Sequence, residues 1–420
     1  MEKEVIERRA RNNISLYKKY KMFAYDFLFY YAISVLFCII TKGFSMSQVM
    51  YLESFFAIFS IIFYLLGNKI VNKLNLKLSA VIGNVFLIVW VLMYIFCNSF
   101  KMYIIANLFA AFGFTLKNIT ESSILYSSLR KIGKRSEFSK IEGRANSKYY
   151  YYDAFASLIS GFLFVFNNYI PVILCGINLC ISFFISLKFT NVDKQEKNED
   201  YTIKDMINET KSIFSSNRLK ALYLFSFIFT GIVAVSAVLY KAIILDVGIK
   251  QEYSTMVICI MSIFIGIGAK TLFHVEKMTK NKTLKFFSIN YVLSMGIVGV
   301  MGIFKKLDMF TMSAILIALS LMGYIQGAYR VALKKYALSF TTHEIRNRIT
   351  STYYIFENIG KAVLTFLIGF LLNYTSNSIA CIIFSTISFI IMLFVLYYMR
   401  GRLGLKPEQY APEDINNMKL

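Results

Sequence analysis

Apolar runs of about twenty residues recur along almost the whole of this chain, for example at 46–67, 78–98, 170–189 and 378–399. A hydrocarbon core about 30 Å thick is crossed by a helix of that length. Lipid offers no partner to a backbone N–H or C=O, so each run has to bond within itself, as a helix does. Taken run by run, the sequence predicts spans at 21–41, 46–67, 78–98, 102–127, 148–167, 170–189, 220–245, 252–272, 284–304, 309–333, 350–372 and 378–399. The expected fold class is an all-α membrane protein of twelve transmembrane helices. Composition agrees, with 57% apolar and 17% charged residues, against about 25% charged in a soluble domain. The first 21 residues are polar and basic and carry no secretory pattern. This pattern excludes a soluble enzyme.

The net charge of +22 would suggest nucleic acid in a soluble protein. Here membrane topology accounts for it. With twelve spans, 37 of the 46 Lys and Arg fall on the side of the two termini, and only Lys42, Lys101, Lys250, Lys305 and Lys306 fall on the other. Cytoplasmic segments are enriched in Lys and Arg. Both termini are therefore expected in the cytoplasm of a multi-pass cell-membrane protein, of the bacterial plasma-membrane kind, with no nucleic-acid partner. The cysteines (38, 97, 175, 180, 259 and 381) all lie in apolar runs and read as small buried hydrophobes. No metal-ligand set, no cofactor motif and no nucleophile–base constellation stands out. There is no G-x-x-x-x-G-K-[ST] loop, so no ATP site is expected.

The longest internal polar stretch, 190–219, separates a six-span half at 21–189 from another at 220–399, flanked by cytoplasmic segments 1–20 and 400–420. Within the linker Ile203, Met206, Ile207, Thr210, Ile213 and Phe214 keep helical spacing, which predicts an amphipathic surface helix. The halves repeat at an offset of 204 residues. Arg144, Ser147, Tyr149, Tyr150 and Asp153 match Arg348, Ser351, Tyr353, Tyr354 and Glu357, and Val71-Asn72-Lys73 matches Val275-Glu276-Lys277. Spans 3, 6, 9 and 12 have charge-free cores, whereas charges lie within the others. A charge at membrane depth faces a cavity or a partner, so every third helix is expected to face lipid.

With these features the chain resembles the major facilitator superfamily over about residues 20–400, and an uncharacterised bacterial branch of it in particular. The resemblance is carried by Tyr25-Asp26-Phe27-Leu28-Phe29, by Lys42-Gly43-Phe44-Ser45 with Gln48, by Glu121 with Leu125-Tyr126-Ser127-Ser128-Leu129, and by Tyr329-Arg330 with Lys334-Lys335-Tyr336. The signature loop after span 2 is degenerate, with Asn72 in place of its acid beside Lys73. The resemblance implies two pseudo-symmetric halves, a cavity lined by spans 1, 4, 7 and 10, and gates at Asn72, Lys73, Glu276, Lys277 and Asp153.

Substrate- or proton-handling residues expected on that plan are Asp26, Tyr30, Lys117, Glu121, Gln326, Arg330, Glu357 and Lys361. Lys117 with Glu121, and Glu357 with Lys361, stand four residues apart and so on one helix face. Asp153 and Glu357 are expected close to helix N-termini, where the macrodipole favours an acid. Glu53, Lys241, Asp246 and Lys270 lie near span ends and can snorkel to water. The expected function is secondary active transport of a small organic solute by alternating access, coupled to protons, in the efflux direction. The competing expectations are a proton symporter importing a sugar or other metabolite, and a non-transporting receptor or assembly partner with a transporter fold.

Overall fold

The computed structural model describes residues 2–24, 26–134, 137–192, 217–279, 282–339 and 346–399. The helices, in order, are α1 (Glu2–Ala24), α2 (Tyr30–Leu36, continued by a π turn, Phe37–Thr41), α3 (Met46–Leu74), α4 (Leu76–Phe96), α5 (Phe100–Lys131), α6 (Phe138–Phe166) and α7 (Ile170–Leu187). They continue as α8 (Asn217–Asp246), α9 (Gln251–Thr279), α10 (Thr283–Ile303), α11 (Met309–Ser339), α12 (Arg346–Leu371) and α13 (Asn377–Met399). Among the described residues ten of these, α3 to α5 and α7 to α13, are long and apolar enough to cross a membrane. Two expected spans are less regular. Span 5 is α6, whose apolar character is diluted by Tyr149 to Tyr152 and Asp153. Span 1 is broken, with α1 ending at Ala24 and α2 starting at Tyr30.

Helices outrun hydropathy at the end of the molecule where α3 and α13 terminate, called here the terminal end. Residues 2–20, within the segment expected as a polar tail, belong instead to α1, which runs unbroken into the first half of span 1. Its buried residues Ala10, Asn13, Ile14, Tyr17, Tyr20, Lys21 and Ala24 fall three or four apart, so one stripe packs against α5, α6 and α7. The opposite face leaves Arg8, Arg9, Arg11, Lys18 and Lys19 exposed. The loop expected at 68–77 shrinks to Asn75, which takes φ 69° and accepts the Leu78 N–H to start α4. A non-glycine residue at positive φ is uncommon, and Asn tolerates it best. The linker helix expected at 203–214 lies outside the described residues.

Helices α1–α7 pack together, as do α8–α13. The two groups meet along α3 with α12 and α6 with α9. Helices α4, α7, α10 and α13 pack mainly within their own half and expose stripes such as Val85 and Leu92, Ile177 and Phe184, Leu293 and Ile297, and Ile390 and Phe394. These are the third helices expected to face lipid, and their exposed stripes are apolar. Lys42 caps α4: its ammonium donates to Ile95 O at 3.2 Å, Cys97 O at 3.0 Å and Asn98 Oδ1 at 2.8 Å. Gln48 closes a capping box with Ser45 at the start of α3.

Several glycines exist for close helix contact. A Cβ on Gly327 would stand 1.9 Å from Ile265 O, and one on Gly323 2.6 Å from Met261 O, so α11 rides directly on the α9 backbone. Replacing Gly327 by Ala is therefore expected to cost about 1–3 kcal/mol through overpacking. The unfolding temperature in detergent checks this against Gly266→Ala, where the nearest atom to an added Cβ, Tyr150 Cβ, stands at an ordinary 3.8 Å. An unshifted transition for Gly327→Ala would refute the close approach.

Candidate functional site

The break in the first membrane helix organises the N-terminal half. Phe29 takes φ 66°, Asp26 accepts the Phe27 N–H at 2.8 Å, and Phe27 stacks on Trp90 with centroids 3.7 Å apart. The carbonyls at the end of α1 lose their helical donors at the break. Lys117, fully buried on α5, donates its ammonium to Ala24 O and lies 4.3 Å from the centre of the Phe114 ring. One turn further along, Glu121 forms a buried ion pair with Lys21 of α1. Lys117 and Glu121, expected as an i,i+4 unit, thus both reach across to α1 and fasten it to α5. Tyr30 is buried among Phe27, Phe37, Trp90 and Tyr94 rather than placed in a cavity. Asn107 joins Tyr94 to Leu52 O, and Asn118 donates to Tyr64 OH.

The repeated motif forms the same local unit in each half. Tyr149 lies beside Asp153 and Tyr353 beside Glu357, one turn apart on α6 and α12. Each acid sits near the middle of its helix, residues 138–166 and 346–371. The expected stabilisation by a helix N-terminus therefore does not apply, because the macrodipole acts only within the first turn. Asp153 accepts from Ser262 of the opposite half at 3.0 Å. Glu357 accepts from Thr230 at 3.0 Å and Ser226 at 3.4 Å on α8, and Thr230 shares a 2.8 Å bond with Tyr329. Glu357 is thus held by hydroxyls. Lys361 turns elsewhere and faces Glu53 of α3.

Lys241 was expected to snorkel, yet it is buried. Its ammonium donates to Tyr31 O at 2.6 Å and Ser34 Oγ at 3.0 Å and lies 3.7 Å from the centre of the Tyr31 ring. This joins α8 to α2 at the end away from the termini. At that end Ser47 also donates to Gly369 O, Asn373 to Tyr51, and the Gly161 N–H to Thr255. Helices α5 and α11 pack against their own halves and make no extensive contact with each other among the described residues. Arg330 on α11 is exposed and reaches Tyr150 of α6 at 3.5 Å. Among the described residues the hydrogen bonds between the halves gather at the far end, while the Tyr64–Tyr354 stack, with centroids 5.4 Å apart, and the Arg330–Tyr150 contact lie nearer the terminal end. Gln326 is buried on α11. Lys73 and Lys277 are exposed on the last turns of α3 and α9, with Glu276 half-buried beside them, and the Asn72 side chain lies outside the described residues. Asp246 and Lys270 are exposed, as snorkelling residues would be.

The sequence matches no protein-family model and no curated protein. The fold, however, matches solved transporters. A crystal structure of nucleoside transporter NupG superposes with TM-score 0.73 at 13% identity, covering 95% of this chain and 100% of that one. A POT family transporter in complex with a thioalcohol-conjugated peptide gives 0.65 at 11% identity, covering 94% and 96%. A POT family transporter in complex with 5-aminolevulinic acid gives 0.65 at 12% identity, over the same shares. The chain is a multi-pass membrane protein with the major facilitator type of transporter fold.

Breaking the buried Lys21–Glu121 pair by Glu121→Gln is expected to destabilise the protein by about 3–5 kcal/mol, because a charge is left in the core. The double variant Lys21→Met, Glu121→Leu should regain most of that loss. Thermal unfolding of the purified protein reads both. A single variant as stable as the wild type would show that the pair does not hold α1 in place.

Proposed function

We propose that this protein is a secondary active transporter that carries a small polar solute by alternating access, with protons as the coupling ion. The observation that supports it most is the arrangement of the two halves: two helix groups that meet along α3 with α12 and α6 with α9, tied at the far end through Lys241, with charged side chains between them. Alternating access is rocking of one repeat against the other around a central site. Twelve spans, two six-helix halves at 21–189 and 220–399, and cytoplasmic termini complete this reading, and the charge asymmetry of the sequence supports that orientation.

Asp153 and Glu357 are the proposed proton carriers. Both are acids at membrane depth held by hydroxyls, and intramembrane acids mark proton relays in transporters. Asp153 bonds across the halves and Glu357 within its own, so protonating Asp153 acts directly on the α6–α9 contact. Lys117, Glu121 and Tyr30 hold α1 and α2 to the N-terminal half.

The neighbours in the fold are described as carriers of, or in complex with, nucleosides, a peptide conjugate and 5-aminolevulinic acid. Proteoliposomes containing the purified protein, given a panel of amino acids, dipeptides, nucleosides and sugars, test the proposal. One class should accumulate under an imposed pH gradient. Asp153→Asn and Glu357→Gln should each lower gradient-driven uptake by about tenfold or more while solute exchange persists. Uptake indifferent to the gradient would remove the proton, and no flux of any class would remove transport.

A further inference from the structure

The charges that face across the two halves are segregated. The N-terminal half presents acids: Asp26 at the break, Glu53 on α3 and Asp153 on α6. The C-terminal half presents cations: Lys241 on α8, Lys361 on α12 and Arg330 on α11. The acids and bases feel one another across the gap. Glu53 interacts with Lys241 and Lys361, and Lys241 also with Asp26 and Asp153. Yet among the described residues no ion pair within 4 Å joins Asp26, Glu53, Asp153, Lys241 or Lys361 to anything. Their partners are short polar ones instead: the Phe27 N–H for Asp26, Ser262 for Asp153, Tyr31 O and Ser34 for Lys241.

Depth along the helices places them in one zone. Counting 1.5 Å per residue from the far helix ends, Lys241 lies about 7 Å in, Glu53 about 10 Å, Lys361 about 15 Å and Asp153 about 20 Å. Lys241, Glu53 and Lys361 lie within helices apolar enough to cross a membrane. Glu53 is nonetheless exposed and Lys361 half-buried, so both reach an open space. Glu357, the acid of the C-terminal half, is taken up by Ser226 and Thr230, and Lys117 and Lys21 of the N-terminal half by Ala24 O and Glu121. What remains facing the gap is acid on one wall and base on the other.

We infer that the solute is a small zwitterion, bound with its ammonium toward Glu53 and Asp26 and its carboxylate or other anionic group toward Lys361 and Lys241. A molecule carrying both charges satisfies both walls at once, whereas a singly charged one leaves one wall uncompensated at membrane depth. By touching both halves it also supplies the bridge that lets them close over it. The inference rests on the transporter reading and adds the solute's chemical class.

The test uses ω-amino acids of one to six methylenes, with the matched alkylamines and carboxylates, as stabilisers of the purified full-length protein. A ligand bound to the folded state raises its unfolding temperature. The expected result is stabilisation by at least one amino acid at concentrations about tenfold below those its two singly charged analogues need. Glu53→Gln should erase the preference over the matched carboxylate, and Lys361→Gln the preference over the matched amine. The opposite selectivity loss for each variant separates recognition from a merely structural role. No stabilisation by the amino acids, equal stabilisation by one singly charged series, or variants that weaken all three series alike would overturn the inference. Flux of an uncharged solute in proteoliposomes would also overturn it while leaving transport intact. Absence of flux for every charge class would instead remove the transporter reading.

Discussion

A helix interrupted inside a membrane leaves carbonyl groups with neither water nor lipid to bond them. The break at Asp26 to Phe29 creates such a place, and Lys117 answers it by giving its ammonium to Ala24 O. The rest of the N-terminal half follows from that bond. A lysine held there needs a nearby negative charge, and Glu121 lies one turn along the same helix, joined in turn to Lys21 on the helix that Lys117 caps. The two connections hold α1 against α5. They leave α2 on the other side of the break, where Lys241 of the opposite half holds it. The first membrane helix therefore belongs to one half by its first part and touches the other by its second.

The pseudo-symmetry shows how one motif yields two roles. Tyr149 with Asp153 and Tyr353 with Glu357 are the same unit at equivalent places. Their surroundings differ. Asp153 meets Ser262 across the interface, while Glu357 meets Ser226 and Thr230 of its own half. A change at Asp153 acts on the relation of the two halves, and one at Glu357 acts on the packing of α8, α11 and α12. Division of labour of this kind arises when a repeat keeps its backbone and varies its neighbours.

Hydropathy located the helices well at the end away from the termini: α3, α7 and α11 begin where the apolar runs at 46, 170 and 309 begin. At the terminal end it stopped short, because the helices run on past the lipid into water, where apolar content no longer reports them. Residues 2–20 and 71–73 are helical for that reason. The site was legible in its residues but not in its pairings. Spacing along one helix suggested Lys117 with Glu121 and Glu357 with Lys361, whereas Glu121 bonds to Lys21 and Lys361 faces Glu53, partners far away in sequence. Lys241 lies five residues before the end of α8, which suggested snorkelling. Its helix face turns it inward instead, and no local pattern in an almost uniformly apolar helix reveals which face that is.

In the proposed mechanism the two halves rock about the charged zone, opening one end as they close the other. Spin-label distances test it most directly. One pair on exposed Lys101 and Leu307 reports the far end, and one on exposed Lys188 and Lys285 reports the terminal end. They are placed in a variant without the six native cysteines. Between the resting protein and the protein with Lys241 replaced by Met, the far-end distance should lengthen while the terminal-end distance shortens. Distances that stay fixed, or that change in the same direction at both ends, would contradict it.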